Sequence, residues 1–212
     1  MLKKIKRSHI INALLLVFVA LMLFSPDSKA WVTRGLMKVG LFRPNLETPK
    51  DSEKATMGQS TSIQAARPAE AGVGNGLASV YFSDSNGFEV DAANQNGKVV
   101  FINFWATWCP PCIAEMPSIV KLSEHFKDHE DVVFIIADVD RDLVKAGAFM
   151  TKRKFNLPVH IPMGTIPEHW LGRSIPTTVI LDKNGLIAAR HEGAADYGRQ
   201  EVFDFIEELL AE

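Results

Sequence analysis

The hydrophobic and polar positions divide this 212-residue chain into three stretches. Residues 10–24 form an apolar run interrupted only by Asn12. Residues 44–76 are small and polar, carry Pro44, Pro49, Pro68, Gly72, Gly74 and Gly76, and have no apolar period. Such a segment reads as a flexible tether. Beyond it the pattern becomes that of a folded unit, residues 77–212, near the usual size of one domain. Residues 80–82 and 88–90 flank Ser83-Asp84-Ser85-Asn86-Gly87 and predict a hairpin. Asn96-Gly97 marks a turn before 99–105 (VVFINFW), a run apolar enough to be a strand buried on both faces. Residues 110–127 place Ile113, Met116, Val120 and Phe126 at helical spacing. Pro110 and Pro111 fall in its first turn and Pro117 inside it, where a kink is expected. A second buried strand comes next at 132–137, then a helix at 143–154 capped by Asp140 or Asp142. Strands at 178–181 and 186–189 flank the turn Asp182-Lys183-Asn184-Gly185, and 198–210 is a closing amphipathic helix. His160, between Pro158 and Pro162, reads as a loop residue. The order predicts an α/β fold: a mixed central sheet with helices on both faces and an extra N-terminal β-hairpin.

Charge sharpens the picture of the N-terminus. Residues 1–30 hold Lys3, Lys4, Lys6, Arg7 and Lys29 against Asp27, a net +4, so the remainder of this −2 chain carries −6. A basic flank before an apolar run stays cytoplasmic and sends the downstream chain across the membrane. Fifteen residues suit the core of a signal peptide, with Ser28-Lys29-Ala30 as a cleavage pattern, or a short uncleaved inner-membrane anchor. Val32, Leu36 and Val39 recur at helical spacing in 31–42, either as a membrane-surface helix or as a helix packed on the domain. Both readings place the body outside the cytoplasm, on the periplasmic side, anchored or secreted. The mild net charge argues against nucleic acid as a partner.

Candidate chemistry concentrates in Trp108-Cys109-Pro110-Pro111-Cys112, which holds both cysteines of the chain. Directly after a buried strand and opening a helix, Cys109 meets unpaired N–H groups that favour a thiolate. Cys112, one turn further in, is shielded. An inert disulfide would staple a longer loop. A structural zinc site lacks further ligands, because the six histidines show no paired metal spacing. Copper(I) accepts two thiolates and stays open, with His160 as a third ligand.

The segment 99–117, VVFINFWATWCPPCIAEMP, resembles the active-site region of thioredoxin-fold proteins of the TlpA/ResA type, membrane-tethered extracytoplasmic thiol–disulfide oxidoreductases. Ser174-Ile175-Pro176-Thr177-Thr178 and the hairpin after it resemble that family's cis-proline loop. The resemblance implies a thioredoxin-like fold over 77–212, Cys109 as attacking and Cys112 as resolving thiol, and no cofactor beyond this pair. It also implies a substrate-binding rim of Trp108, Ile175, Pro176 and Thr177, with the Ile175 backbone pairing with an extended substrate segment. Trp108 could equally pack on its own helix. Thioredoxins proper carry a buried Asp where this chain has Asn103, and the TlpA/ResA branch assigns proton handling to a glutamate placed as Glu115 is. Glu115 could otherwise be a solvated first-turn residue. Asp138 and Asp140 read as capping or solvated carboxylates, and His169-Trp170 as lining the approach to the cis-proline loop.

Two functions from different classes fit these residues. One is an exported protein-disulfide reductase fed by a transmembrane thiol donor, apocytochrome c being a family-level client. The other is copper(I) delivery through the same cysteines. A peroxide-reducing relative ranks last, since no separate peroxidatic cysteine exists.

Overall fold

The computed structural model describes residues 79–212 continuously, together with Asn12, residues 15–17, Ala30, Thr33, Gly35 and Leu36, all eight of them helical. The basic cluster, most of the apolar run, much of 31–42 and the whole 44–76 tether lie outside the described residues.

The domain is built from β1 (Tyr81–Asp84), β2 (Glu89–Asp91), a 3-10 turn (Ala92–Asn94), β3 (Val99–Trp105), α1 (Pro110–His125), β4 (Val132–Asp138), α2 (Leu143–Arg153), β5 (Val159–Pro162), β6 (Thr177–Leu181), β7 (Ile187–Glu192) and α3 (Gln200–Ala211). The strands form one seven-stranded sheet in the order β2-β1-β5-β4-β3-β6-β7. β3 lies inside it, parallel to β4 and antiparallel to β6, and all seven of its residues are buried.

One strand departs from the sequence reading. His160 is not in a loop: it belongs to β5, which pairs antiparallel with β1 and parallel with β4. A four-residue strand that follows one proline and ends on another leaves no alternation to read, and the strand exists because its neighbours on both sides supply hydrogen-bond partners. Asp142, rather than Asp140, caps α2 by accepting from the Lys145 N–H.

Helical cover is uneven between the two faces. Residues 99, 101 and 105 of β3 pack with Met116, Ile119 and Leu122 of α1, Ala146 and Met150 of α2, and Val202, Phe203 and Ile206 of α3. Val100, Ile102 and Phe104 face the other way, onto Phe82, Trp170 and the 3-10 turn residues Ala92 and Ala93. Successive right-handed crossovers from β3 to β4 to β5 step across the sheet in one direction, which puts α1 and α2 on the same side. Thus the second face carries a short 3-10 turn and the loop around Trp170.

Candidate active site

Residue alternation along β3 decides what reaches the site. Odd positions point toward α1, so Asn103 lies on the helix side, one residue from Phe104 on the other. After Trp105 the chain turns, and Cys109 becomes the N-cap of α1 in extended conformation, with Pro110 and Pro111 in the first turn. Its Sγ accepts from the Cys112 N–H at 3.2 Å and is bonded to Cys112 Sγ, with Cα atoms 5.3 Å apart. The sulfur that caps the helix is therefore placed where backbone N–H groups stabilise negative charge.

From the opposite side comes the loop before β6. The Ile175–Pro176 peptide is cis, and the Ile175 carbonyl lies 3.9 Å from Cys109 Sγ. Gly193, at positive φ, donates its N–H to the Pro176 carbonyl and so ties the loop after β7 to the cis-proline. A residue with Cβ is strained in that conformation. Thr177 is fully buried and donates to the Ser174 carbonyl, bracing the loop rather than facing outward.

Glu115 is wholly buried. Asn103 Nδ2 donates to its Oε1 at 2.8 Å, and the Ala195 N–H donates to its Oε2 at 3.2 Å. Asn103 Nδ2 also reaches Thr178 Oγ1 at 2.9 Å. Burial pushes the Glu115 carboxyl up to about 8, and the two hydrogen bonds oppose that rise without cancelling it. It is not a solvated first-turn glutamate.

Trp108 is 57% exposed, and its Nε1 donates to Asp140 Oδ2 at 2.8 Å. It stands at the rim beside a cysteine pair that is itself buried. Asp138 Oδ2 accepts the Asp142 N–H, and burial raises the Asp138 carboxyl. Trp170 is a core residue of the far face, in the cluster against which the partly buried Ile175 packs. His160 is opposite Ala137, which is opposite Phe104, so it sits two strands from β3 on the face away from α1. It does not converge with the cysteines. Among the described residues no group of three or more His, Cys, Asp and Glu side chains is gathered to hold a metal ion.

Three participants escaped the sequence reading. Asp140 holds the Trp108 indole; Ala195 offers its N–H to Glu115. Tyr197, fully buried, has a hydroxyl held well above the ordinary range by burial and by the nearby Glu115 carboxylate. None has a local signal, because each is brought in across tens of residues.

Comparisons with known proteins agree with this geometry. The Redoxin family model matches residues 64–204. The thioredoxin-like protein YneN of Bacillus subtilis is 33% identical over 127 residues, covering 58% of this chain and 75% of the relative. The thiol-disulfide oxidoreductase ResA of Halalkalibacterium halodurans is 30% identical over 130 residues, covering 61% and 72%. Among solved structures, StoA from Bacillus subtilis superimposes with a TM-score of 0.51 at 19% identity, over 60% of this chain and 96% of that one. A secreted thiol-disulfide isomerase from Corynebacterium glutamicum gives 0.51 at 24%, over 65% and 86%. These two likenesses bear on the fold alone, which is thioredoxin-like.

Proposed function

The chain belongs to the Redoxin family and is a thiol–disulfide oxidoreductase of the ResA type, and we propose that it works as a reductant of disulfides in exported proteins. The observation that carries this reading is the buried Glu115 on the cysteine helix, with a carboxyl at about 8. A base of that strength matches a thiol of ordinary pKa near 8.5, so a proton passes between them with little cost in either direction.

In the reduced protein the Cys109 thiolate attacks one sulfur of a substrate disulfide. The substrate S–S bond breaks, a Cys109–substrate disulfide forms, and the departing substrate thiolate takes a proton from solvent. Cys112 then gives its proton to the Glu115 carboxylate and attacks Cys109 Sγ. The second substrate thiolate leaves, and the Cys109–Cys112 bond closes. Two electrons have passed from the dithiol to the substrate, and the dithiol alone carries them, without a cofactor. Trp108, Ile175 and Pro176 frame the entering chain, whose backbone aligns with that of Ile175.

The basic flank and apolar run at the N-terminus support a location outside the cytoplasm, held at the inner membrane through residues 10–24. Reduction there requires electrons from a transmembrane thiol donor, and cysteines of apocytochrome c are candidate clients. Cys112→Ser is the test. It should freeze Cys109–client disulfides that mass spectrometry identifies; absence of any trapped partner would sink the reading. A reduction potential among the most oxidising dithiols would make the protein an oxidase instead.

A further inference from the structure

Asn103 lies within β3, wholly buried, and both hydrogens of its Nδ2 are committed. One goes to Glu115 Oε1 at 2.8 Å and the other to Thr178 Oγ1 at 2.9 Å. Its carboxamide oxygen Oδ1 is also buried and has no hydrogen-bond partner among the described residues. A buried polar atom without a partner is costly and calls for a reason. The two acceptors of the Nδ2 hydrogens share a property: each can also donate. Thr178 does so through its hydroxyl, and Glu115 does so once protonated.

We propose that Asn103 is a positioning residue whose carboxamide turns over with the protonation state of Glu115, Nδ2 donating to the carboxylate and Oδ1 accepting from the carboxylic acid. The structure shows the first orientation. In the second, the Glu115 and Thr178 hydroxyls both donate to Oδ1, and Nδ2 takes the place without partners. One end of the amide is unpartnered either way, so that cost cancels and Glu115 selects the orientation. Oxygen and NH2 differ little in size, so a half-turn of the amide leaves the packing around β3 intact. Tyr197, from the loop after β7, brings a buried hydroxyl near Thr178 and Glu115. That hydroxyl gives or takes a hydrogen as Thr178 requires. Cys112, three positions before Glu115 on α1, is the other titratable group here. An aspartate at 103 would add a second carboxyl, and a leucine would offer neither bond. This role rests on Glu115 as acceptor of the Cys112 proton: it keeps the carboxyl partnered whether charged or uncharged.

Nuclear magnetic resonance of the oxidised full chain in detergent micelles tests it, with 13C in glutamate and 15N in asparagine side chains. As pH falls from about 10 to about 5, both Asn103 amide protons should lose their downfield, hydrogen-bonded shifts at the midpoint of the Glu115 carboxyl carbon. A change confined to the proton facing Glu115, or none, overturns the turnover and leaves the proton-acceptor reading standing. A Glu115 carbon that never titrates overturns both. Asn103→Leu removes a bond from each form of Glu115, so the midpoint should stay within about half a pH unit of wild type. A rise of about one pH unit or more is what loss of a fixed donor gives, and it overturns the proposal. The wild-type titration decides the matter without any variant.

Discussion

The two faces of the central sheet share strands and burial but not chemistry. On the far face, Phe82, Val100, Ile102, Phe104, Ile135, Val179 and Leu181 form an apolar layer. On the α1 face, equally deep, Asn103, Thr178 and Glu115 form a hydrogen-bonded cluster beside the cysteine helix. Burial by itself therefore says little about role. The face where a helix N-terminus meets the cis-proline loop carries a destabilising buried carboxyl, which the proposed role of Glu115 as a proton acceptor would explain; the other face is free to maximise packing.

Substitutions can break this contrast. The largest effect on exchange should come from Cys109→Ser, which removes the attacking sulfur and should abolish reduction of a protein disulfide such as insulin. Glu115→Gln should slow resolution of the mixed disulfide by about 10²-fold, in line with loss of a positioned base. Measured across pH, the same variant should also lose a stability trend. Since the folded carboxyl titrates near 8 and an unfolded one near 4.5, the folded state binds more protons between those values. Wild-type stability should then fall as pH rises from about 4.5 to about 8, and the Gln variant should show a flatter curve in denaturant titrations. A parallel fall in both would leave Glu115 with no part in the trend.

Asp140→Ala should act on the rim only. Losing the indole hydrogen bond should raise KM for a protein disulfide by roughly 5-fold, about 1 kcal/mol, while a small dithiol-reactive reagent reacts as before. Phe82→Ala, on the far face, should leave exchange rates unchanged yet cost about 3–5 kcal/mol of stability in chemical denaturation. A large rate change from Phe82→Ala would erase the distinction between the faces.

Legibility in the sequence followed the range of the interactions. The VVFINFW strand and the helix opening at Pro110 were readable because burial and capping act within a few residues. The Asp182–Gly185 turn was readable for the same reason: Asp182 accepts from Asn184 and Leu186, and Gly185 takes positive φ. β5 was not readable, since four residues acquire strand geometry only from β1 and β4. The helices fell mostly on one face because crossover direction, not local pattern, selects the side.

By itself the sequence determined that two cysteines would open a helix after a buried strand, with a glutamate one turn beyond and a proline loop elsewhere in the chain. Those are matters of spacing, and spacing is local. Only the tertiary structure decided that Glu115 is dry and pushed up to about 8, that Ile175–Pro176 is cis against the cysteines, and that Asp140 holds Trp108. Each depends on desolvation or on groups far apart in the chain, and neither acts until the sheet, the helices and the loops have come together.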